Sequence, residues 1–326
     1  MDIMNELNNF NDFGFSGLMN LGNTCYLNSS LQILSHIYEL NTYLKNITQL
    51  NNIKDSTLTV EWILLYKLIW SKNCIISPNR YVTKIKTLSK EKENETFCNF
   101  EQNDANEYFY FMIDCIHNSL NKLDSSIKLI KTNDENLNKQ IDLYETKDYS
   151  IIHSLFCSFI IYTYINKETN VVEFTKTEPH FMIEVSIPLV NKNDKISLND
   201  CIHFTFDDEA LDTLWYDEKT GEKKCLIKKT NIGYFSTILV IHLKRWNNLN
   251  KNKQIVYFDE VLNMYNINYE LFGIINHEGN MFGGHFFSYI KKNNKWYIFD
   301  DTAIKPITYS NIINEKNYCL FYRKIK

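Results

Sequence analysis

Cys25 lies where a turn rich in glycine and asparagine runs into a segment of helical periodicity. The apolar residues recur at steps of four, three and four, which predicts a helix with one inward face: Leu27, Leu31, Leu34 and Tyr38. Asn23 or Thr24 is suited to cap this helix. Unpaired N–H groups and the positive end of the helix dipole favour a thiolate over a thiol in the first turn. Cys25 is therefore a candidate nucleophile for attack on a carbonyl carbon.

A catalytic thiolate needs a base, and imidazole has a pKa suited to that task. His285 follows Gly283 and Gly284 and opens an aromatic strand, and Asp300 and Asp301 end the next strand. Two antiparallel strands joined by a turn at residues 291–294 bring His285 beside Asp300. Asp301 could assist Asp300 or replace it, because either acid could face inward.

The other seven histidines lie in helical or strand patterns, or in loops without a neighbouring motif. We expect each to be a surface residue or a satisfied core residue: His36, His117, His153, His180, His203, His242 and His277.

Residues 17–32 closely resemble the cysteine box of the ubiquitin-specific proteases, which are papain-like deubiquitinases. Residues 284–301 resemble the histidine box of the same family, and residues 318–323 resemble its terminal strand. The resemblance spans nearly the entire chain. It implies that Cys25 is the nucleophile, that His285 is the general base and acid, and that Asp300 orients the imidazole.

The family places an Asn amide five residues before the nucleophile, which is Asn20 in this chain. By resemblance, the Asn20 side chain and the Cys25 backbone N–H form the oxyanion hole. Losing one such donor typically costs about 100- to 1,000-fold in turnover. The alternative is that Asn20 only builds the turn.

Residues 102–109 resemble a family motif whose Asp, here Asp104, helps to hold the basic C-terminal tail of ubiquitin. Asp104 followed by Glu107 also predicts a helix N-cap with a capping-box partner, and both roles can hold together. The resemblance extends substrate contact to Glu107, to the two glycines before His285, and to two substituted aromatic positions. Those residues are Gly283, Gly284, Phe286, which replaces a Tyr, and Trp246, which replaces a Phe. Residues 276–283 are expected to form a mobile loop over the tail.

Many family members bind structural zinc in their fingers region through two Cys-x-x-Cys pairs, and this chain has no such pair. Cys225 alone cannot make a tetrahedral thiolate site. We therefore predict no metal and no cofactor, with fingers held by packing or shortened.

The 326 residues carry a formal charge of −4, which offers no basic footprint for nucleic acid. No apolar run reaches the length that spans a membrane. Met1 to Phe10 lack the pattern of a signal peptide, so the eight cysteines are expected to be reduced thiols in the cytoplasm or nucleus. We expect a monomer, with an activating or targeting partner left open.

Helical patterns at residues 57–70 and 104–120 precede a polar stretch at 121–148, which is expected to be an exposed connection. Strands follow, predicted at 158–165, 171–174, 181–187, 237–243, 269–275, 285–290, 296–299 and 318–323. This order predicts an α+β fold with a papain-like core in a single catalytic domain, 1–326. Residues 1–148 would form a helical thumb, and residues 149–326 a β-rich palm with reduced fingers.

Three functions are compatible with these motifs. The first is a thiol-dependent deubiquitinase that cleaves isopeptide or peptide bonds after the C-terminal Gly of ubiquitin. The second is a protease for another ubiquitin-like modifier that ends in Gly-Gly. The third is a silent scaffold that binds ubiquitin without cutting it, which the presence of Cys25, His285, Asp300 and Asn20 disfavours.

Overall fold

The computed structural model describes residues 13–50, 54–93, 95–99, 101–121, 123–124, 128–129, 131–189, 194–247, 250–280 and 283–325. The helices within these ranges are α1 Cys25–Ser35, α2 Tyr38–Asn46, α3 Lys54–Ile69, α4 Asn79–Glu91, α5 Ala105–Leu120, α6 Glu135–Lys147, α7 Ile151–Phe156, α8 Leu198–Phe206 and α9 Tyr309–Ile312. No described helix is both long enough and apolar enough to cross a membrane.

The strands belong to a large central sheet, a smaller sheet beside it and several short pairs. They are β1 Gly17–Leu18, β2 Ile75–Ile76, β3 Ser158–Asn166, β4 Val172–His180, β5 Ile183–Ser186, β6 Ile196–Ser197, β7 Glu209–Ala210, β8 Trp215–Asp217, β9 Glu222–Lys224, β10 Leu226–Tyr234, β11 Ile238–Lys244, β12 Trp246–Asn247, β13 Asn250–Lys251, β14 Val256–Tyr257, β15 Val261–Met264, β16 Ile267–Asn280, β17 Gly283–Lys292, β18 Lys295–Asp300, β19 Ala303–Ile307 and β20 Asn317–Lys324.

The central sheet has the strand order β19-β18-β17-β16-β20-β11-β5, and β15 also pairs with β16. Side chains alternate between its two faces, as they must in a pleated strand. On β17, Phe286 and Ile290 enter the core shared with the helices, whereas Phe287 and Tyr289 enter a second core on the other face. This two-faced packing fixes the register of the strands that carry His285 and Asp300.

A tight turn joins β17 to β18 at Asn293 and Asn294, which both have positive φ, a conformation that Asn tolerates better than most residues. The ladder runs from Lys292 opposite Lys295 to Ser288 opposite Phe299. The antiparallel hairpin predicted from the sequence is therefore confirmed.

The fingers, which we define as β3, β4, β7, β8, β9 and β10, form a four-stranded sheet of order β4-β3-β10-β7 and the β8–β9 hairpin. Strand β10 pairs with β3 along most of its length. The sequence patterns missed β10, because its lysines and asparagine interrupt the apolar alternation that we required of a strand.

Several local expectations were wrong. The inward face predicted to run on to Tyr38 is split, because α1 ends at Ser35 and Tyr38 begins α2. The connection expected at 121–148 contains α6, which buries Leu137 and Ile141. Residues 276–280 continue strand β16 and pair with β17 up to Asn280 opposite Gly283, so most of the expected loop is sheet. Residues 281 and 282 lie outside the described residues.

Candidate active site

Cys25 is the first residue of α1 and is buried at 4% exposure. His285, on β17, lies close enough to Cys25 for the two side chains to interact. On its other side, Nε2 of His285 lies 2.5 Å from Oδ1 of Asp300, the last residue of β18. Because an ionised carboxylate only accepts hydrogen bonds, Nε2 is the donor in this pair, and Nδ1 is left for the thiol. The three side chains have the arrangement of a candidate nucleophile, base and orienting acid.

The pKa of His285 is raised from 6.5 to about 9. The hydrogen bond with Cys25 is the largest cause, the bond with Asp300 and its charge add to it, and burial opposes both. The imidazolium is therefore favoured at neutral pH. An imidazolium beside Cys25 stabilises the thiolate, which is the nucleophilic form of cysteine.

Asn20 is held in one orientation by the turn that precedes α1. Its Oδ1 accepts hydrogen bonds from the backbone N–H groups of Gly22 and Thr24, both at 3.1 Å. Since Oδ1 is engaged in this way, the amide N–H₂ group must point away from the turn. The structural role that the sequence suggested for Asn20 is thus present, and it fixes the orientation of the amide N–H₂ group.

Asp301 hydrogen-bonds Asn20 and Asn28, whereas Asp300 hydrogen-bonds the imidazole of His285. Its Oδ2 accepts from Nδ2 of Asn20 at 3.0 Å, and its Oδ1 accepts from Nδ2 of Asn28 at 2.8 Å. Asp301 has a φ of 48°, so the chain bends sharply after Asp300. The two neighbouring acids consequently face different partners. The structure places Asp300 on His285 and Asp301 on Asn20.

Glycine is required immediately before His285. A Cβ atom on Gly284 would lie 2.2 Å from Nε2 of His277 and 2.7 Å from the carbonyl oxygen of Glu278. The N–H of Gly284 donates to Oε1 of Gln102 at 2.7 Å, which ties β17 to the segment before α5. This close approach excludes any side chain at position 284.

A cleft of about 1500 Å³ opens beside these residues, with Asp104, Glu107, Trp246 and Tyr318 among those that line it. Oδ1 of Asp104 caps α5 by accepting from the N–H groups of Asn106 and Glu107. Its Oδ2 accepts from the Tyr318 hydroxyl at 2.6 Å. The lining of the cleft does not include Cys25, and Gln102 connects the Asp104 segment to Gly284 beside His285.

Carboxylates outnumber lysines among the residues that line this cleft: Asp104, Glu107, Asp114, Glu184, Asp207, Asp208 and Glu209, against Lys92, Lys228 and Lys244. Burial, followed by the charge of Asp104, raises the pKa of Glu107. A cationic ligand would relieve the repulsion between such acids.

A family model described as ubiquitin carboxyl-terminal hydrolase matches residues 16–322. This chain belongs to that family. It is 29% identical to ubiquitin carboxyl-terminal hydrolase 2 of Bos taurus, in an alignment that covers 95% of this chain and 55% of the relative. It is 26% identical to a probable ubiquitin carboxyl-terminal hydrolase, R319, of Acanthamoeba polyphaga mimivirus, where the coverage is 96% and 90%. The chain spans about half the length of the curated mammalian relatives that it matches.

Solved structures confirm the fold class. The SAGA deubiquitinating module of Ubp8, Sgf11, Sus1 and Sgf73 bound to monoubiquitin matches with a TM-score of 0.75 and 23% identity, over 96% of this chain and 70% of that chain. The same module bound to ubiquitin aldehyde matches with a TM-score of 0.73 and 22% identity, over 97% and 71%. At this level of identity, the likeness shows the fold alone.

The other residues of this hydrolase-family chain that were predicted to contact the substrate differ in how deeply they are buried. Trp246 is half-buried and lines the cleft, and its ring lies 5.9 Å from that of His277. Gly283 is half-buried beside Gln102. Phe286 is buried at 8% exposure, and its ring packs 4.6 Å from that of His277 and 5.8 Å from that of Tyr318. Its position suits support of the cleft wall better than contact with a ligand.

Sequence reasoning missed Asn106, which also lines the cleft. Asn106 is only 6% exposed, and neither Oδ1 nor Nδ2 has a hydrogen-bond partner among the described residues. Buried amides are rarely left without partners, because the desolvation cost is then uncompensated. Both amide atoms are shielded from solvent, so a bound peptide could hydrogen-bond them only after the cleft wall shifts. No sequence pattern signals this amide, because the observation depends on burial.

One cluster of metal-ligating groups occurs among the described residues, formed by His285, Asp300 and Asp301, with one ligand atom from each within 4.8 Å. A protonated imidazole has no lone pair for a metal, and the raised pKa of His285 favours that form. The cluster is therefore better suited to proton transfer than to binding a cation. The absence of a metal and of a cofactor stays a prediction.

Proposed function

We propose that this chain is a thiol-dependent deubiquitinase that hydrolyses isopeptide or peptide bonds after the C-terminal glycine of ubiquitin. The observation that carries the proposal is the line Cys25–His285–Asp300, with Asn20 held by Asp301 in the turn that precedes Cys25. A silent scaffold would not need a carboxylate on the histidine and a second carboxylate on the amide. The resemblance to hydrolases of the same family over most of the chain supports the same reading.

In the first half of the reaction, the Cys25 thiolate attacks the carbonyl carbon of the terminal glycine. The negative charge moves to the carbonyl oxygen, where the Asn20 amide and the Cys25 backbone N–H donate to it. His285 then gives its proton to the departing lysine amine, and the C–N bond breaks to leave a thioester. Asp300 holds the imidazole so that its other nitrogen stays aimed at the thiol.

In the second half, a water molecule gives a proton to neutral His285 and attacks the thioester carbon. The same two donors stabilise the oxyanion again. When the C–S bond breaks, the carboxylate of the modifier is released and Cys25 returns to the thiolate paired with the imidazolium. No cofactor is required for this cycle.

The substrate end is supported by the charge of the cleft. A modifier with a Gly-Gly terminus would place its tail beside Gly284, which Gln102 ties to the segment that carries Asp104. The excess of carboxylates near Asp104 and Glu107 suits basic residues just upstream of such a tail. The Ubp8 modules of similar fold were solved with monoubiquitin or ubiquitin aldehyde bound.

The test is to treat the purified chain with ubiquitin that carries a thiol-reactive C-terminal group, beside matching probes made from ubiquitin-like modifiers. We expect a covalent adduct with the ubiquitin probe, which mass spectrometry places on Cys25, and none with Cys25→Ala. An adduct with another modifier only would replace ubiquitin as the substrate. No adduct with any probe, together with unchanged ubiquitin binding after Cys25→Ala, would support a silent scaffold.

For location, we infer the cytoplasm or nucleus, because all eight cysteines are free thiols in the structure. Imaging of the tagged chain checks this, and retention in the secretory pathway would contradict it. We further infer that the catalytic unit acts as a monomer. Size-exclusion chromatography with light scattering tests that inference.

A further inference from the structure

Lys251, on strand β13, links the wall of the acidic cleft to the strand beside His285. Its Nζ lies 3.0 Å from Nδ1 of His277, on β16, and donates to the His277 carbonyl oxygen at 2.5 Å. The ammonium group also lies 5.8 Å from the ring centroid of Trp246, its partner across the β12–β13 pair. The proposed reaction leaves Lys251 without a role.

The contact is made where β16 loses a strand partner. Strand β20 begins at Asn317, and the N–H of the preceding residue, Lys316, donates to Oδ1 of Asn314 in its own turn. The carbonyl oxygen of His277 takes its donor from Lys251 instead. Lys251 therefore stabilises the end of β16, which pairs with the start of β17.

His277 lies between the lining of the cleft and Gly284, the residue before His285. Its ring centroid is 5.9 Å from that of Trp246 and 6.1 Å from that of Tyr318, and both of these residues line the cleft. A Cβ atom on Gly284 would lie 2.2 Å from Nε2 of His277. A modifier tail that runs from the cleft toward the nucleophile would therefore pass close to this nitrogen.

The contact with Lys251 determines which nitrogen of His277 carries the proton. An ammonium group only donates, so Nδ1 is the acceptor and the proton of the neutral ring is on Nε2. Burial, followed by the charge of Lys251, lowers the pKa of His277 to about 4, which keeps the ring neutral. Nε2 has no hydrogen-bond partner among the described residues, yet it is not one of their buried unpartnered atoms, so its N–H can reach a ligand.

The charge of Lys251 is set by the groups around it. Burial, followed by the charges of Arg245 and Lys253, lowers its pKa to about 8, and the charges of Glu315 and Glu278 oppose this shift. The side chain is therefore mainly an ammonium group at neutral pH, which is the form that must donate to Nδ1.

We propose that Lys251 is a positioning residue that holds His277 in the tautomer whose Nε2–H donates to a backbone carbonyl of the modifier's C-terminal tail. This proposal rests on the proposed function and assigns a role in tail binding at the same site. Lys251 acts through His277, because its two bonds fix both the ring and the strand end. The donor is then already oriented before the modifier binds, which reduces the entropic cost of binding.

Two readouts test the proposal with the full chain. The first is the nitrogen NMR spectrum of the protein with labelled histidines, in which the ring nitrogens report the tautomer, and the loss of signals in His277→Phe identifies those of His277. The second is steady-state cleavage of ubiquitin with a small fluorogenic amine as its leaving group, which we call the small-amine substrate.

Three variants of the lysines separate the effects. Lys251→Met keeps the length of the side chain without a donor, and Lys251→Arg keeps a cationic donor. Lys253→Met is the matched control, because it makes the same change of charge on an exposed side chain of the same segment.

We expect His277 of the wild type to be neutral, with its proton on Nε2. Lys251→Met should give a mixture of tautomers and raise the pKa of His277, because it removes a charge that opposes protonation. It should also raise KM by between about twofold and tenfold, the effect of one hydrogen bond, with kcat nearly unchanged. Lys251→Arg and Lys253→Met should resemble the wild type in both readouts.

The double variant Lys251→Met/His277→Phe tests whether Lys251 acts through His277. We expect it to have the KM of His277→Phe alone. An additive rise would overturn the proposal, as would an unchanged tautomer or an unchanged KM in Lys251→Met. An equal rise of KM in Lys253→Met would also overturn it, since that would reflect overall charge.

The wild type alone supplies a test that does not depend on any variant being folded. A proton on Nδ1 of His277 would overturn the proposal directly. If the wild type does not cleave the small-amine substrate, the proposed function is wrong and the role in tail binding falls with it. This outcome is distinct, because the NMR readout requires no turnover.

Discussion

The catalytic edge, which we define as β17, β18 and the turn before α1, and the tip of the fingers are both polar clusters built on antiparallel strands. At the catalytic edge, the polar pairs have roles that depend on the chemistry of each partner, as in His285 with Asp300 and Asn20 with Asp301. At the finger tip, Lys224 lies between Glu173 and Asp217, at 2.9 and 2.8 Å. This second cluster only holds strands together.

At the finger tip, other residue types could replace the ion-pair partners. The hydrogen bond from Lys224 is the main cause of the pKa of Asp217 falling to about 2. The ammonium group also lies 5.7 Å from the ring of Trp215, which packs against Phe174. Any compact linker of β4, β8 and β9 could serve here. The catalytic edge allows no such freedom, because each group must present a particular atom.

Asp300→Asn should give the largest loss among the changes that keep the nucleophile. An Asn cannot hold the imidazole in the correct tautomer with the same charge, and the equivalent change in a serine triad costs about 10⁴-fold in kcat. We expect a loss of roughly that order in kcat with the small-amine ubiquitin substrate, and an unchanged Tm. A loss of less than tenfold would mean that Asp300 is not the group that orients His285.

Asp301→Ala should cost about 100- to 1,000-fold in kcat, as expected when an oxyanion donor is misplaced. The KM should stay near the wild-type value, because Asp301 contacts Asn20 and Asn28 and not the cleft. Asn20→Ala provides the matched comparison in a double-mutant cycle. Additive losses would contradict the idea that Asp301 acts through Asn20, whereas a double variant no worse than either single variant would support it.

These two acids show where sequence reasoning stopped. The hairpin and the pairing of His285 with Asp300 followed from strand alternation and the position of the turn, and the structure has both. The place of Asp301 did not follow, because it depends on a positive φ at a residue other than glycine. Asn106 was missed for a related reason. Its unpaired amide is visible only once burial is known.

The prediction of helices and strands met the same limit. Helices α3 and α5 were predicted within about three residues at each end, whereas strands β4 and β16 run about six and five residues beyond their predicted ends. Helix α4 and strand β10 were missed, since each carries several lysines. The conformation of α4 depends on the apolar residues that it buries, such as Tyr81 and Ile85. The conformation of β10 depends on a strand partner far along the chain. Tertiary packing outweighs local pattern in such elements.

The pH profile should separate the catalytic edge from the rest of the molecule. Because the pKa of His285 is raised to about 9, the imidazolium persists through neutral pH and is lost as the pH rises through about 9. We expect kcat/KM to fall above that pH, by about tenfold per pH unit. Asp300→Asn should move this descending limb to lower pH, because it removes one cause of the raised pKa. Asp301→Ala should leave the limb in place, and a shift there would contradict the separate roles of the two acids.

Asn106→Ala should produce two effects of opposite sign. Removal of a buried amide without partners should raise the Tm, because its desolvation cost disappears. If the cleft wall shifts so that the bound tail reaches the amide, its removal should also raise KM by between about twofold and tenfold. Thermal unfolding and steady-state kinetics measure the two effects. A lower Tm with an unchanged KM would show that Asn106 is a structural residue.

Lys224→Met, at the finger tip, should have the smallest effect on catalysis of the variants considered. Methionine keeps the length of the side chain but leaves Glu173 and Asp217 facing each other without a cation. We expect a lower Tm and an unchanged kcat/KM with the small-amine substrate. A chelator should leave the Tm of the wild type unchanged, because an ammonium group links the strands at the tip. If the chelator lowers the Tm, the prediction of zinc-free fingers is wrong, and the ion cluster would then be secondary to a metal.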